Sequence, residues 1–497
     1  MSNKKYILAI DQGTSSTKSL IFDAEGQAVA KGSELLHTNY LDNGFVEQDP
    51  EEIYHNVLAS IKKCLHQFNK KGFDTTDIAA IGISNQRETF VIWDKNGKPL
   101  YPAVVWQCKR SVQVCEALKQ KGLSAIIHQK TGLVIDPYFS ATKLIWLFEN
   151  NNDLKKTIQK GNAFFGTIDT WLLYKFTNGK EYATDYTNAS RTLFFNLHTL
   201  QWDYELIDEF GLTGIQLPQI KSSSSFYGET IAGGLFKEPV PVTALIGDSH
   251  AAAFGEGCVN AGTAKATLGT GCSILMNTGS KPMNSVNGMV TTICWSMEGR
   301  VDYALEGVIV TCGATIEWLK NELDLFADIK ETEAMATSVQ DNNGVYLVPA
   351  FSGLGAPHWD MKRKASVTGL TFSANKNHIV RAALESIPYQ IKDVIDVMEA
   401  NTKIELHQLM VDGGISSNNF VVQYLADLLD KPVVNIGIAD VSALGAAYLA
   451  GLQQKIFTDL DHLRQLNAGN KIVKPSGDGN VKAWYKGWQN AVRGVML

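Results

Sequence analysis

Cysteine and histidine are scarce in this sequence, and neither is arranged as a ligand or disulfide motif. The 497 residues include 7 cysteines and 10 histidines, with no CxxC pair and no HxxxH pair among them. Scattered cysteines without regular spacing argue against a disulfide framework, and the missing pairs argue against a structural zinc site. We therefore expect reduced thiols and a cytoplasmic protein.

Long apolar runs are also missing. No apolar segment approaches the roughly 20 residues that a membrane-spanning helix needs, and the longest candidate, "VSALGAAYLAGL" (441–452), is typical of a buried helix of small residues. Asp11 ends the first apolar run too early for a signal peptide. A net charge of −6 gives no support for a nucleic-acid surface or a polybasic membrane anchor. We expect neither nucleic-acid binding nor membrane insertion.

Three common nucleotide-binding signatures are absent. The sequence has no GxxxxGK[ST], no HRD and DFG pair, and no well-placed GxGxxG. A P-loop protein, a protein kinase and a dinucleotide-binding enzyme are therefore disfavoured.

The sequence does contain a pattern that occurs twice. A chain of this length is too long for one hydrophobic core, so two large domains are expected. The opening "DQGTSSTKSLIFD" predicts a strand, a turn and a strand, and "LGTGCSILMNTG" repeats that pattern after residues 254–257. With strands and helices alternating between them, the sequence predicts an α/β protein with two domains, 1–252 and 253–497, and a cleft between them.

Local signals place several elements. Asp49 followed by Pro50 predicts the start of an amphipathic helix, and Asn96-Gly97 predicts a hairpin turn. A long helix is predicted over 377–400, and Pro388 should kink or interrupt it.

Three glycine-rich turns could bind phosphate through backbone N–H groups. They are "DQGTSSTK" near the start, "GTG" at 269–271 and "DGG" at 412–414. Each could equally be an ordinary hairpin or strand–helix turn. Asp11 ends a buried strand just before the first turn, where it could hold Mg²⁺ or simply form an Asx turn.

Asp248 lies in "IGDSHAAAF", where an apolar strand ends and a run of small residues begins. A carboxylate at that place could cap the following helix. It could instead face a cleft and accept a proton from a substrate hydroxyl.

Arg87 and Glu88 lie together in "NQRE" between two apolar stretches. The guanidinium donors and carboxylate acceptors suit the hydroxyls of a polyol, although a hairpin-tip ion pair would look the same in sequence. Trp106 and Tyr138 could pack against a sugar-like carbon chain or simply belong to the core.

Taken together, these stretches resemble the FGGY carbohydrate kinases, and within that family the glycerol kinases. The resemblance spans nearly the whole chain, because the matching segments occur in the family's order: "AIDQGTSSTK", "GISNQRET", "VVWQCKR", "KTGLVIDPYFSATKLIW", "GTIDTWLLYKFT", "TDYTNASRTLFFNLHTL", "NGVYLVPAFSGLGAPHWD" and "VDGGISSNNF".

The resemblance implies two actin-like ATPase domains of ribonuclease-H type and transfer of phosphate from ATP to glycerol, giving sn-glycerol 3-phosphate. It implies Asp248 as the general base and Asp11 as a residue that holds Mg²⁺. The implied substrate-binding residues are Arg87, Glu88, Trp106, Tyr138, Asp248 and Ser249. The implied nucleotide-binding residues are Thr14, Ser15, Ser16, Lys18 and Thr270 at the phosphates, with Gly313, Glu317, Gly414 and Asn418 around the nucleoside.

The sequence departs from the family pattern at three places. Ser249 and Ser273 stand where glycerol kinases usually have Gln and Phe, and Lys18 stands where Arg is usual. Two smaller side chains would leave a roomier, more polar pocket, so a larger polyol or a ketose of four or five carbons is the alternative substrate. A third alternative is an actin-like nucleotide-switch protein without a small substrate. We also expect a homo-oligomer, either a dimer or a tetramer.

Overall fold

The structure is a computed structural model that describes residues 5–285, 288–438 and 440–495. The strands of the first half are β1 (Tyr6–Gln12), β2 (Ser16–Phe22), β3 (Ala28–Leu35), β4 (Asn39–Tyr40), β5 (Val46–Gln48), β6 (Ile78–Asn85), β7 (Phe90–Asp94), β8 (Pro99–Val104), β9 (Ala163–Thr167), β10 (Ala183–Asp185), β11 (Phe195–Asn196), β12 (Gln201–Trp202), β13 (Gln219–Lys221), β14 (Glu229–Thr230) and β15 (Val240–Gly247). Its helices are α1 (Pro50–Lys70), α2 (Val112–Gln120), α3 (Ser124–Thr131), α4 (Ser140–Asn150), α5 (Asn152–Gln159), α6 (Ile168–Phe176), α7 (Tyr186–Ala189), α8 (Tyr204–Glu209) and α9 (Asp248–Gly255).

The second half continues the alternation of strands and helices. Its strands are β16 (Thr263–Leu268), β17 (Cys272–Gly279), β18 (Val290–Met297), β19 (Arg300–Ile309), β20 (Tyr346–Val348), β21 (Ser366–Thr368), β22 (Gln408–Asp412), β23 (Val433–Asn435) and β24 (Lys471–Val473). Its helices are α10 (Gly313–Asn321), α11 (Glu331–Thr337), α12 (Lys376–Thr402), α13 (Asn419–Leu429), α14 (Val441–Gln453), α15 (Leu460–Leu466) and α16 (Asn480–Val495).

The two large sheets share one strand pattern. In the first, with order β14-β15-β6-β1-β2-β3, strand β1 is antiparallel to β2 and parallel to β6. In the second, with order β18-β19-β17-β16-β22-β23-β24, strand β16 is antiparallel to β17 and parallel to β22. An antiparallel hairpin extended by parallel strands is the ribonuclease-H-like pattern expected from the repeated sequence motif. The predicted α/β fold with two actin-like domains is confirmed.

A smaller five-stranded sheet, of order β4-β5-β8-β7-β9, is attached to the first half. Its strand β7 begins directly after the Arg87–Glu88 segment and pairs with β8 through the Asn96-Gly97 turn, as predicted. The apolar side chains that cover this sheet include Phe90, Ile92, Val104 and Phe165, all of them buried. The sheet therefore fixes the chain that carries the two polar residues of "NQRE".

Helices α9 and α14 cross at a short distance, because both helices have small residues at the crossing. A Cβ atom on Gly445 of α14 would lie 1.8 Å from the carbonyl oxygen of Ala251 in α9, and one on Gly255 would lie 2.7 Å from the carbonyl oxygen of Val441. A Cβ atom on Gly82 of β6 would lie 2.3 Å from the carbonyl oxygen of Ala446. The buried small-residue helix predicted at 441–452 is therefore confirmed, and it packs on the sheet of the other half.

Local predictions were mostly correct. Asp49 caps α1 by accepting from the backbone N–H of Glu51, with Pro50 as the first helical residue. Helix α12 is not interrupted at Pro388, which lies inside one continuous helix of 27 residues. None of the helices in the described ranges is both long and apolar enough to cross a bilayer.

The predicted division at residues 252 and 253 lies within α9. The first large sheet ends with β15 before it, and the second begins with β16 after it. The outermost residues of the two predicted domains, 1–4 and 496–497, lie outside the described residues.

Candidate active site

A cavity of about 300 Å³ lies between the ends of the central strands of both large sheets. Both halves of the chain contribute to its wall. Its lining residues are Thr14, Arg87, Glu88, Trp106, Tyr138, Asp248, Ser249, Ala252, Lys265, Thr267, Ser273, Asp412 and Ser442. All six residues predicted to bind substrate are thus brought together in one cavity, although their sequence separations are large.

Asp248 is the first residue of α9, directly after the buried strand β15. Gly247 is the capping residue, and the Asp248 carboxylate accepts from the backbone N–H of Ser249 at 2.6 Å. The carboxylate also lines the cavity, with 38% of its side chain exposed. Asp248 therefore combines a local contact at the helix start with a carboxylate facing the cavity.

Arg87 and Glu88 follow β6 at the end of the neighbouring parallel strand. Both are buried, with 7% and 1% exposure, and Glu88 has a left-handed backbone at φ 60°. The two side chains diverge: the Nε atom of Arg87 lies 3.3 Å from Oδ1 of Asp248, whereas Glu88 accepts from Arg191 at 2.5 Å. The alternative of a hairpin-tip ion pair between Arg87 and Glu88 is therefore wrong.

Trp106 and Tyr138 form an aromatic wall of the cavity. Their rings meet edge to face with centroids 5.5 Å apart. The indole N–H of Trp106 donates to the hydroxyl of Thr14 at 2.9 Å, which ties this wall to the first glycine-rich turn. Burial raises the pKa of Tyr138 well above its usual value, so the phenol stays neutral and able to donate.

Ser249 and Ser273, the two small residues that depart from the family pattern, both line the cavity. The ammonium of Lys265 donates to the Ser249 hydroxyl at 3.1 Å, and the Ser273 hydroxyl donates to Glu306 at 3.5 Å. Charged groups of the second half thus contact both serines.

Asp11 lies beside Asp248 at the end of β1. It accepts from the Ser84 hydroxyl at 3.2 Å. Burial raises the pKa of Asp11 to about 6, and the negative charge of Asp248 adds to this, while Lys18 and Ser84 act in the opposite direction. Two neighbouring carboxylates, one of them with a raised pKa, fit a divalent cation, because a cation would remove the repulsion between them. Among the described residues there is no cluster of three or more acidic, histidine or cysteine side chains that could form an all-protein metal cage.

The first glycine-rich turn contributes one side chain to the cavity. Thr14 lines it, whereas Ser15 is exposed and the backbone N–H of Gly13 bonds to the carbonyl of Ser16 at 3.0 Å. Lys18 is on β2 opposite Asp11, and its ammonium pairs with Asp440 at 3.0 Å. The side chains of Ser15, Ser16 and Lys18 therefore do not line the cavity, although these residues follow Thr14 closely in sequence.

Three turns of the second half pack against one another near the cavity. The carbonyl of Thr270 accepts from the backbone N–H of Cys312 at 2.9 Å, and the N–H of Gly313 donates to Gly269 at 2.9 Å. A Cβ atom on Gly413 would lie 2.5 Å from the carbonyl oxygen of Leu268. The turns at 269–271 and 412–414 and the start of α10 therefore form one surface of backbone groups.

The remaining predicted nucleotide residues surround that surface. Gly414 is exposed with open space around its Cα, and Glu317 is exposed on α10 one turn after Gly313. Asn418 caps α13 by accepting from the backbone N–H of Val421 at 3.2 Å. The Asn418 side chain therefore stabilises the start of α13.

Sequence reasoning missed several charged residues of the site. Lys265 lies in the strand "TAKATL", and Glu306 lies in "RVDYALEGVI". Burial opposes ionisation of Glu306, but the pKa is lowered far below its usual value because Arg191 and Arg87 both face it. The available signals were a lone lysine in a short strand for Lys265 and a carboxylate within the otherwise apolar stretch "YALEGVI" for Glu306.

Glu256 and Asp412 form a second pair of acidic groups near Lys265. Glu256 is 3% exposed, and neither carboxylate oxygen has a hydrogen-bond donor among the described residues. Burial raises its pKa well above the usual value, and the charge of Asp412 adds to this effect while Lys265 opposes it. Burial therefore favours the protonated form of the Glu256 carboxyl over the ionised form.

His250 follows Asp248 and Ser249 on α9 and is completely buried. Its Nε2 atom lies 3.5 Å from the Thr292 hydroxyl, and burial together with the positive charge of Arg87 lowers its pKa well below the usual value. The ring is therefore a neutral, fully buried group on α9.

Comparisons with known proteins agree with this arrangement. Residues 6–255 match the N-terminal domain of the FGGY family of carbohydrate kinases, and residues 264–453 match its C-terminal domain. The chain is 45% identical to a glycerol kinase of Vibrio cholerae over 99% of this chain and 97% of that protein. It is 46% identical to a glycerol kinase of Carboxydothermus hydrogenoformans over 98% of both chains.

Solved structures give the same result for the fold. The Plasmodium falciparum glycerol kinase with ADP superposes with a TM-score of 0.92 at 36% identity, over 99% of this chain and 98% of that one. A gluconate kinase from Lactobacillus acidophilus superposes with a TM-score of 0.86 at 23% identity, over 98% of both chains, which supports the fold alone. Two matched domains in the family's order, full-length relatives and a shared fold together establish that this chain belongs to the FGGY family of carbohydrate kinases.

Proposed function

We propose that this protein transfers the γ-phosphate of ATP to a terminal hydroxyl of glycerol and so makes sn-glycerol 3-phosphate. The observation that carries the proposal is the placement of Asp248 beside Arg87 in a cavity between the two halves. An acidic acceptor, a cationic donor and a cleft are what phosphoryl transfer to an alcohol requires. The full-length likeness to glycerol kinases supports glycerol as the substrate.

Arg87 and Glu88 bind the hydroxyls of glycerol in this proposal. Arg87 supplies N–H donors, and Glu88 supplies carboxylate acceptors. Both are rigid, because each is buried and paired with another charged side chain. Trp106 and Tyr138 pack against the carbon side of the molecule.

Asp248 acts as the general base. Its exposed carboxylate can reach the attacking hydroxyl and accept its proton as the oxygen bonds to phosphorus. Arg87 pairs with this carboxylate at 3.3 Å and so fixes its orientation. Ser249, held by Lys265, lies next to the base and completes the substrate side of the cavity.

The nucleotide is bound by turns from both halves. Thr14, Ser15, Ser16, Lys18 and Thr270 are proposed to contact the phosphates, because hydroxyls and free backbone N–H groups at tight turns suit phosphate oxygens. Gly313, Glu317, Gly414 and Asn418 are proposed to surround the nucleoside. Gly414 suits this role because the space above it is open.

Asp11, with Asp248 beside it, is the residue proposed to hold Mg²⁺. The ion would neutralise part of the phosphate charge when bound. The fit rests on the raised pKa of Asp11, whose negative charge is disfavoured without a nearby cation.

A polyol or ketose of four or five carbons was the alternative substrate, and it is not favoured. The relatives of high identity are glycerol kinases. In addition, Lys265 and Glu306 bond to the two serines that were expected to enlarge the pocket. A nucleotide-switch protein without a small substrate is disfavoured because Arg87, Glu88 and Asp248 converge on one cavity.

A substrate panel tests the proposed function. Purified protein is assayed with ATP and Mg²⁺ against glycerol, dihydroxyacetone, erythritol, xylitol and D-xylulose, and kcat/KM is compared. We expect glycerol to give the highest value. A clear preference for a four- or five-carbon acceptor would overturn the proposal.

Three coarser features accompany this function. We propose that residues 1–252 carry the substrate and phosphate side and residues 253–497 the nucleotide side. The seven cysteines, all free and buried, support a cytoplasmic enzyme. A homo-oligomer, dimer or tetramer, is proposed, and light scattering of the purified protein tests it.

A further inference from the structure

Five charged side chains of alternating sign form a continuous chain beneath the cavity. Glu88 accepts from Arg191 at 2.5 Å, Arg191 donates to Glu306 at 2.6 Å, Arg87 donates to Glu306 at 3.0 Å, and Arg87 pairs with Asp248 at 3.3 Å. These four ion pairs connect Glu88 with Asp248, two residues that line the cavity.

Glu306 occupies the centre of this chain and differs from the other four members in origin. It lies on β19 of the second half, whereas the others belong to the first half. Its carboxylate is shared by two arginines: Oε1 accepts from Arg87 at 3.0 Å, and Oε2 accepts from Arg191 at 2.6 Å and from Arg87 at 3.4 Å. Glu306 therefore holds two guanidinium groups that would otherwise repel each other.

Because the two arginines are buried, their positions depend on the charge of Glu306. Glu306, Arg191 and Arg87 are 3%, 2% and 7% exposed, so water cannot replace the missing partner. Removing one partner from a buried ion pair leaves the other charge uncompensated, which is the costly case. Without the Glu306 charge, the two arginines have only Glu88 and Asp248 as partners and must shift toward them.

We propose that Glu306 is a positioning residue for phosphoryl transfer, which sets the orientation of Arg87 and, through Arg191, that of Glu88. It lies outside the cavity lining, so it acts through these residues and not by touching the substrate. This inference rests on the proposed function, because Arg87 and Glu88 are its substrate-binding residues.

The position of Glu306 also couples substrate binding to the contact between the halves. The substrate-binding residues of the first half receive their orientation from a strand of the second half. Arg191 is fixed further by the rings of Tyr138 and Phe139, whose centroids lie 5.6 Å and 5.1 Å from its guanidinium carbon. Loss of the Glu306 charge therefore perturbs Arg87 more than Arg191.

The test is Glu306→Gln, which keeps the size of the side chain and removes its charge. Steady-state kinetics are measured for glycerol and for ATP separately. We expect kcat/KM for glycerol to fall by about tenfold or more, while the KM for ATP stays within about twofold, since the change acts on one substrate. Glu306→Asp should restore part of the glycerol activity, because it keeps the charge.

Glu385→Gln is the matched control. Glu385 is also completely buried and pairs with an arginine, Arg381, at 2.7 Å, but neither residue lines the cavity. This variant should lose stability without a selective effect on glycerol. If both variants lose activity for both substrates equally, or if a folded Glu306→Gln enzyme keeps its kcat/KM for glycerol, the positioning role is wrong.

If Glu306→Gln does not fold, Arg191→Lys tests the same proposal. Lysine keeps the positive charge but cannot bridge Glu88 and Glu306 with a planar fork. We expect the same selective loss for glycerol, and unchanged glycerol kinetics would overturn the proposal. Failure of the proposed function itself is distinguishable, since the wild-type enzyme would then prefer another acceptor, and that acceptor would replace glycerol in this test.

Discussion

Arg87 and Asp248 lie 3.3 Å apart although 160 residues separate them in sequence, because β6 and β15 are neighbouring parallel strands. Each residue follows the carboxyl end of its strand, where Gly247 is paired with Asn85. Functional side chains at adjacent strand ends face the same crevice in α/β sheets. The proposed base and its cationic neighbour are therefore positioned by the backbone of one sheet.

Asp248→Asn should abolish most of the transfer without preventing nucleotide binding. The amide keeps the shape of the side chain but cannot accept the proton, so kcat should fall by about 10²–10⁴-fold. Turnover with glycerol and ADP binding by calorimetry are the two measurements. Near-normal turnover in this variant would remove the general base from the mechanism.

The double variant Ser249→Gln with Ser273→Phe should narrow the pocket. Larger side chains fill space beside the substrate, and a misfit in such a pocket is worth about 1–3 kcal/mol. We expect the preference for glycerol over erythritol, as a ratio of kcat/KM values, to rise by about tenfold. The two single variants serve as controls, and an unchanged ratio in the double variant would show that these positions do not set specificity.

Gly445→Ala should destabilise the protein. The added Cβ would lie 1.8 Å from the carbonyl oxygen of Ala251, so α9 and α14 must separate. Such overpacking costs about 1–3 kcal/mol, measured as a lower urea midpoint. Gly479→Ala is the control because a Cβ atom added there would meet nothing within 4 Å, and a similar loss in both variants would contradict the packing argument.

Glu256 predicts a specific pH dependence of stability. Its pKa is raised in the folded protein, so the folded state keeps a proton that the unfolded state loses above the usual value of 4.5. The wild-type protein therefore loses stability as pH rises from 4.5 toward the folded pKa. Asp412 and Lys265, the charged groups that face Glu256, act in opposite directions on this pKa.

Glu256→Gln removes this titration and keeps a hydrogen-bond donor. The gain in urea midpoint of the variant over the wild type should be larger at about pH 8 than at about pH 5. Glu322→Gln, at an exposed position, should show no such trend. An equal difference between variant and wild type at both pH values would mean that Glu256 is ionised in the folded protein.

Local sequence was sufficient for much of the fold and for part of the site. The alternation in "DQGTSSTKSLIFD" and the Asp49-Pro50 pair predict β1, β2 and the start of α1, because turns and caps depend on nearby residues. Asp248 was identified because a carboxylate at a strand end is conspicuous. These features need no knowledge of tertiary contacts.

Long-range pairing was not predictable from the sequence alone. Glu306 and Arg87 are 219 residues apart, and no local sequence signal near either residue predicts that the two side chains pair. The pairing of the Lys18 ammonium with Asp440, which lies far along the chain in the other half, was likewise not predicted. Pro388 was expected to kink or interrupt a helix, and it does not interrupt α12, which continues through it with Ile387 and Tyr389 buried on either side.

The closest approach of α9 and α14 is made by backbone atoms and small residues. Few side chains interlock at this crossing, so a change in its angle would require few rotamers to change. Asp248 begins one of the two helices, whereas Thr270 lies in a turn and Gly414 begins a 3-10 helix, both in the second half. A rotation of the two halves about this crossing would therefore change the distance between the proposed nucleotide contacts and the proposed base without rebuilding the packing around the base.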